Sequence, residues 1–147
     1  MTKKARTFKA FVFFVVCLML FANMSATVFA SDGWQTDFPL PKWTYINIVG
    51  GGVLKETDSS GRHTVGGEVL LRDYKNRAEI SATVQSFNGD WYNTSYKWSD
   101  SGYGGAGVSE AIYLSRGTYR MRLIIKVYSP TNVLLEEATL YTDETII

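Results

Sequence analysis

A stretch of strict alternation, residues 119–128, constrains the fold of this 147-residue chain more than any other feature. Because the side chains of a β-strand point alternately to its two sides, the stretch predicts a long strand with one buried face. Gly117 lies just before it, where the chain must turn. The predicted buried set is Tyr119, Met121, Leu123, Ile125 and Val127, and the opposite set is Arg120, Arg122, Ile124, Lys126 and Tyr128.

The rest of the chain from residue 43 onward predicts an all-β fold. Runs of aromatic and β-branched residues recur about every ten positions, turn-forming sequences separate them, and no amphipathic helical period is present. We expect seven or eight strands in a two-sheet antiparallel Greek-key sandwich. Besides Tyr119, Leu123, Ile125 and Val127, its core should contain Ile80, Val84 and Ile112.

Glycine clusters mark the expected irregularities of this sandwich. Gly50–Gly52 and Gly66–Gly67 interrupt predicted strands and indicate bulges or hinges. Residues 100–107 predict a flexible glycine loop, and residues 143–147 a tail.

Residues 1–30 predict a signal peptide. Basic residues lie near the N-terminus, an apolar run covers 11–21, and Val28 and Ala30 provide short side chains before a cleavage point after Ala30. The apolar run is too short for an anchor, since crossing a bilayer takes about 20 residues. We therefore expect a secreted, extracellular bacterial protein with an extended arm at 31–42 and one sandwich domain at 43–147.

Cleavage would change the charge and remove the cysteine. Four of the 15 basic residues and none of the 14 acidic ones lie in residues 1–30, which leaves 11 against 14 and a net charge of −3. Cys17 is lost as well, so no disulfide could form and the core alone must hold the domain together. The absence of a dense basic patch argues against nucleic acid as a partner. The sequence also lacks a matched pair of alternating stretches long enough for a membrane barrel, so we do not expect stable membrane insertion.

The motif Leu114-x-x-Gly117-x-Tyr119-x-Met121-x-Leu123 resembles the E–F corner of immunoglobulin-like and fibronectin-III-like sandwiches. The resemblance implies that the Tyr119 hydroxyl bonds back to upstream backbone. It covers about a dozen residues. The Cys…Trp…Cys framework of antibody domains is missing from the sequence.

Few residues could support catalysis or bind a metal, and we predict neither enzymatic activity nor a cofactor. His63 is the single histidine and should be exposed just past a turn. Zinc would need several His or Cys ligands, and calcium, although conceivable at Asp58–Gly61 or near Asp90 and Asp100, lacks the EF-hand spacing. Glu110 alternates with apolar positions, so a small hydrolase using Glu110 and a loop aspartate is the catalytic alternative.

Aromatic residues concentrate between positions 87 and 103, around Asn88-Gly89-Asp90 and the predicted glycine loop. Such rings can fill the core or form a platform on which sugars stack. The candidate ligand-binding residues are Trp91, Tyr92, Tyr96 and Tyr103.

These features favour a non-catalytic binding or surface-interaction module. Its partner would be polysaccharide, including cell-wall glycan, or another extracellular protein. In the second case the chain would act as an inhibitor or an assembly subunit, because an open edge strand can accept a partner strand.

We expect the exported product to begin at Ser31, because the cleavage pattern ends at Ala30. The intact mass of protein recovered from culture medium measures this directly. A mass that retains residues 1–30 would contradict both the secretion and the charge arguments.

Overall fold

A computed structural model describes residues 43–147, which form eight β-strands and no helix. The expected signal peptide (1–30) and arm (31–42) lie outside the described residues. The strands are β1 (Ile46–Thr57), β2 (His63–Leu71), β3 (Arg77–Phe87), β4 (Trp91–Tyr103), β5 (Gly105–Ile112), β6 (Thr118–Tyr128), β7 (Leu134–Tyr141) and β8 (Thr145–Ile146).

The strands form two antiparallel sheets. One sheet has three strands in the order β1-β2-β5, and the other has the order β4-β3-β6-β7, with β8 also paired to β6. The chain passes between the sheets after β2, after β4 and after β5, so strands that are neighbours in sequence often lie in different sheets. The predicted all-β Greek-key sandwich is confirmed.

The core lies between the two sheets and is built by alternation. In β6 every second residue is buried, from Tyr119 through Val127, as predicted. The other expected core residues, Ile80, Val84 and Ile112, are buried too. The three-stranded sheet supplies the facing layer, with Ile46, Val53, Val65, Val69 and Leu71.

Leu123 contacts the three-stranded sheet at a pair of glycines. Gly51 of β1 pairs with Gly67 of β2, and both glycines face this leucine across the core. A Cβ added to Gly67 would lie 2.6 Å from Leu123 Cδ2, and one added to Gly51 would lie 3.0 Å from Leu123 Cδ1. Real Cβ contacts are almost never as short as 2.6 Å, so glycine is required at Gly67 for the leucine to fit in its present position.

The glycine clusters therefore do not form the predicted bulges. Pairing between β1 and β2 is regular from Ile48 to Val53, and its irregularities lie between Ile46 and Ile48 and between Val53 and Thr57. The prediction was wrong because glycine in a strand can mark either a bulge or a close approach by another group. Here the approaching group is Leu123.

The predicted glycine loop at 100–107 is also wrong. β4 continues to Tyr103 and β5 begins at Gly105, which leaves Gly104 alone to carry the chain from one sheet to the other. Gly104 has a φ of 76°, which an L-residue rarely adopts. Its N–H donates to the Asn76 carbonyl and its own carbonyl accepts from Leu71 N–H, which fixes the crossing point.

The C-terminal segment pairs with β6, so the predicted tail at 143–147 is wrong as well. Thr142 interrupts the edge between β7 and β8, and its Oγ1 accepts a hydrogen bond from Met121 N–H at 2.9 Å. β8 then resumes the pairing at Thr145 and Ile146. Ile147 exchanges two backbone hydrogen bonds with Gly117 and packs against the core.

The hydrogen bond expected of Tyr119 is present. Its hydroxyl donates to the Ser115 carbonyl at 3.1 Å, and the ring is buried at the start of β6. The bond ties the link between β5 and β6 to the strand that carries most of the core.

Leu123→Ala should lower the free energy of unfolding by about 2–5 kcal/mol, because it opens a cavity in the core. Gly67→Ala should cost about 1–3 kcal/mol by overpacking the same space. The double variant should cost less than the sum, since each change relieves the other. Chemical denaturation of the four proteins provides this cycle.

Gly50→Ala is the matched control, because its Cβ would meet only the Glu68 side chain, at 3.5 Å. It should change stability by less than about 0.5 kcal/mol. Additive costs for Gly67→Ala and Leu123→Ala would contradict the proposed contact.

Tyr119→Phe should lower stability by about 1 kcal/mol, because the buried bond to Ser115 is lost while the ring stays. Tyr113→Phe serves as control, since Tyr113 is 64% exposed. Equal stability of Tyr119→Phe and wild type would show that the corner bond contributes nothing.

Candidate functional site

The outer face of the five-stranded sheet carries the most distinctive side-chain arrangement. Because Ile80, Ala82 and Val84 of β3 are buried, the residues between and beyond them in alternation lie on the outer face. Register then places Gln85 of β3 between Asn93 of β4 and Arg120 of β6 on that face.

Arg120 is held between two aromatic rings. Its Cζ lies 4.0 Å from the centroid of Trp91, on β4, and 4.3 Å from that of Tyr141, on β7. A guanidinium over an aromatic face is attracted by the negative face of the ring. Two strands on opposite sides of β6 therefore supply the walls of one cation site, which we call the arginine sandwich (Trp91, Arg120, Tyr141).

Hydrogen bonds fix the orientation of the guanidinium. Arg120 Nε donates to Gln85 Oε1 at 2.9 Å, and Gln85 Nε2 donates to Asn93 Oδ1 at the same distance. Gln85 is only 6% exposed although it lies on the outer face. Buried polar groups need partners, and the two bonds provide one for the oxygen and one for the nitrogen of its amide. The two terminal nitrogens of Arg120 make no hydrogen bond or ion pair within residues 43–147.

An aromatic surface continues from the arginine sandwich toward the β3–β4 turn. The rings of Phe87 and Trp91 lie 5.3 Å apart at an angle of 54°. Phe87 is 48% exposed. The turn at Asn88–Asp90 is the predicted hairpin turn, with Gly89 at a φ of 76°.

The structure separates the four predicted ligand-binding residues. Trp91 and Tyr103 lie on the outer face but at opposite ends of β4, which has 13 residues. Their partners on β3, Phe87 and Arg77, are ten residues apart because β4 is irregular opposite Thr83 and Gln85, so at about 3.3 Å per residue the two Cα atoms are about 33 Å apart. Tyr103 is 68% exposed and aligns with Arg77, whose Cζ lies 4.5 Å from the ring centroid of Tyr128.

Tyr92 and Tyr96 alternate with Trp91 and lie on the other side of β4. The Tyr96 ring stacks on Trp98 with centroids 6.1 Å apart, and both pack against the core. The Tyr96 hydroxyl donates to the Tyr113 carbonyl at 3.4 Å. Tyr92 is exposed at the end of the strand, so only Trp91 of the four belongs to the arginine sandwich.

Sequence reasoning missed the other members of this site. Alternation placed Arg120 on the exposed side of its strand, yet nothing in the sequence joined it to Trp91, 29 positions earlier. Nothing in the sequence indicated that Tyr141 or Gln85 belongs to a site, beyond their positions in predicted strands. The order of strands in the sheet brings these residues together.

The two residues considered for catalysis occupy different surroundings. His63, expected to be exposed, is 7% exposed, because β2 is the central strand of its sheet and His63 pairs with Thr57 of β1 and Ile112 of β5. Its Nδ1 lies 3.2 Å from the Leu54 carbonyl oxygen. Glu110 keeps the alternation with Val108 and Ile112 but is exposed, since β5 is the edge of its sheet.

At Asp58–Gly61, where a calcium site was considered, the chain forms a turn in which groups of the protein itself bond to the Asp58 carboxylate. Asp58 Oδ1 accepts from the N–H groups of Ser60 and Arg62, and Oδ2 pairs with the Arg62 guanidinium. The backbone hydrogen bond from Arg62 is the main cause that holds the pKa of Asp58 below its ordinary value. In the described part of the chain, no group of three or more His, Cys, Asp or Glu residues could hold a metal ion.

The outer face is divided by charge. Toward the Tyr103 end, Arg77 pairs with Glu79 and Lys126 with Glu137. The side-chain hydrogen bond from Arg77 holds the pKa of Glu79 below its ordinary value, and the same bond raises the pKa of Arg77. This half of the face satisfies its own charges, whereas the half with the arginine sandwich does not.

Comparison with known proteins gives no assignment: no family model, curated protein or solved structure matches the chain. Between residues 43 and 147 there is no helix that could span a membrane.

Trp91→Leu and Arg120→Leu should show a coupling free energy of about 0.5–1 kcal/mol in a double-mutant cycle, since each removes the same cation–π contact. Thermal or chemical unfolding of the four proteins measures it. Arg116 is exposed and has no such ring contact within the described residues, so Arg116→Leu should be additive with Trp91→Leu.

Proposed function

We propose that residues 43–147 form a secreted, non-catalytic binding module of immunoglobulin-like or fibronectin-III-like type, which binds polysaccharide on the outer face of its five-stranded sheet. Strand order supports the type. When β1, β2, β3, β4, β5, β6 and β7 are lettered A, B, C, C′, E, F and G, the sheets become ABE and C′CFG. Tyr119, with its hydroxyl bond to upstream backbone, then lies at the start of strand F.

The observation that carries the binding proposal is the arginine sandwich. Two rings and a glutamine hold the Arg120 guanidinium in one orientation, while its two terminal nitrogens keep their donors. A guanidinium that is already held in one orientation presents a planar set of donors, and a ligand that binds to it does not have to order the side chain. Such pre-organisation suits recognition of hydroxyl or acidic groups on a ligand.

The neighbouring rings provide the second element of a sugar-binding surface. Phe87 is half-exposed and contacts Trp91, so a sugar ring could lie on this aromatic surface while its polar groups reach Arg120. Aromatic rings contribute apolar contact area, and the guanidinium contributes directional, charge-assisted hydrogen bonds. The signal-peptide pattern of residues 1–30 supports export of the module to where cell-wall or environmental glycan is available.

The outer edge of β1 favours a second candidate, binding of an extracellular protein. From Ile48 to Gly52 the strand contains no charged residue, no proline and no irregularity in its pairing, and within residues 43–147 no strand pairs with its outer edge. Natural edge strands usually carry charges, prolines or bulges that prevent pairing with another chain. An extended segment of a partner could add to this edge, as in an inhibitor or an assembly subunit.

A glycan array with wild type, Trp91→Ala and Tyr103→Ala tests the primary proposal. We expect wild type to bind and Trp91→Ala to lose at least about tenfold in affinity, as happens when a central aromatic contact is removed. Tyr103→Ala should bind like wild type, because Tyr103 lies at the far end of β4.

Equal binding by wild type and Trp91→Ala would contradict the proposed surface. Turnover of a polysaccharide that Glu110→Gln abolishes would instead establish the carboxylate-dependent hydrolase. Loss of binding in Tyr103→Ala alone would move the site to the opposite end of the face.

A further inference from the structure

We infer that the ligand of this face is an anionic polysaccharide, one that carries carboxylate or phosphate groups along a chain of sugar or polyol units. The inference rests on the proposed function and deepens it by naming the class of ligand. Its basis is a second feature of the same surface, a group of three cations that we call the basic triad (Lys97, Arg120, Arg122).

Register places the basic triad on one face. Lys97 and Arg122 both align with Thr83, an outer-face residue of β3, so they occupy one row across three neighbouring strands. With about 4.8 Å between strands, their Cα atoms are about 10 Å apart. Arg120 is two residues from Arg122 on β6, which separates their Cα atoms by about 7 Å.

No carboxylate of residues 43–147 forms an ion pair with any member of the triad. Arg120 has only the bond to Gln85, and Arg122 and Lys97 make no side-chain hydrogen bond in that range. Arg122 Nε is buried without an acceptor. Because a buried Nε cannot itself contact a ligand, any bond from Arg122 to an anion would come from the terminal nitrogens of its guanidinium.

Nearby acidic residues do not neutralise the triad. Asp143 and Glu144 follow β7 at the sheet edge, and Asp90 lies in the β3–β4 turn, yet none of them is within ion-pairing distance of Arg120. Both ion pairs of this face lie at its other end.

The triad is not a consequence of a generally basic protein. Residues 31–147 carry 11 basic and 14 acidic residues, a net charge of −3. A locally positive surface on a negatively charged module attracts anions at one place and disfavours them elsewhere. Charge complementarity therefore identifies the occupant as anionic.

The spacing of the triad selects a polymer with anionic groups at intervals. Three cations about 7–10 Å apart can each meet a separate acidic group, whereas one small anion could reach only one or two of them. The rings of Phe87 and Trp91, adjacent to Arg120, can stack on the neutral unit between two acidic groups. Three cations are too few for the many phosphate contacts that give strong binding to DNA.

The test measures binding of the secreted full-length product to four polymers at matched chain length: polygalacturonate, a poly(glycerol phosphate), a neutral glucan and single-stranded DNA. We expect binding to polygalacturonate or poly(glycerol phosphate), weakened at least about tenfold between 50 and 500 mM NaCl because exposed charges are screened. The preferred polymer of the two identifies carboxylate or phosphate as the recognised group.

Variants then localise the effect while the arginine sandwich stays intact. Lys97→Gln and Arg122→Gln should each weaken anionic binding about threefold and together about tenfold, which is the scale of single exposed ion pairs. Lys75→Gln removes the same charge from the loop between β2 and β3, more than a Debye length away, and should have no effect.

The outcomes separate the inference from the proposed function. Neutral glucan bound as tightly as the anionic polymers, with loss in Trp91→Ala, would overturn the inference and leave the polysaccharide-binding surface in place. DNA bound as tightly as the anionic polymers, or equal effects of Lys75→Gln and Arg122→Gln, would also overturn the inference. No binding to any polymer would overturn both.

Discussion

The fit of Leu123 against Gly51 and Gly67 is the contact on which the rest of this sandwich depends. Two sheets that face each other need side chains to fill the space between them, and here the central side chain of β6 occupies room that two paired glycines leave open. The residues around it, such as Val65 and Ile125, are fully buried. With no cysteine in residues 31–147, core packing of this kind stabilises the domain without a disulfide.

Because Leu123 is fixed in the core, the outer face of β6 is fixed as well. A slip of one residue would turn every side chain of the strand to the other face, so burial of Leu123 obliges Arg120 and Arg122 to face outward. Pairing of β6 with β3 and β7, and of β3 with β4, then brings residues from β4 and β7 beside these arginines. The arginine sandwich is thus a consequence of core packing on one side of a strand and sheet order on both edges.

The outer face has one half in which the charges are paired and one half in which they are not, and this difference indicates which half would bind a ligand. Arg77 has a carboxylate neighbour on its own strand and Lys126 has one on β7, so their half of the face needs no ligand to balance its charge. Arg120 has aromatic neighbours instead. Rings hold a guanidinium without neutralising it, so its charge remains available to a ligand. This difference distinguishes a positioned cation from an ordinary surface ion pair.

The sequence alone determined the features that depend on neighbours along the chain: the buried and exposed sides of β6, the Asn88–Asp90 turn, the corner bond of Tyr119 and the all-β class. The corner bond follows from the resemblance to immunoglobulin-like sandwiches, and the other features follow from period-two alternation or from local turn chemistry. The tertiary structure alone decided whether Gly51 and Gly67 form a bulge or a close contact, and whether Trp91 meets Arg120 or Tyr103. Those outcomes depend on strand order and on distances between sheets, which no local pattern encodes.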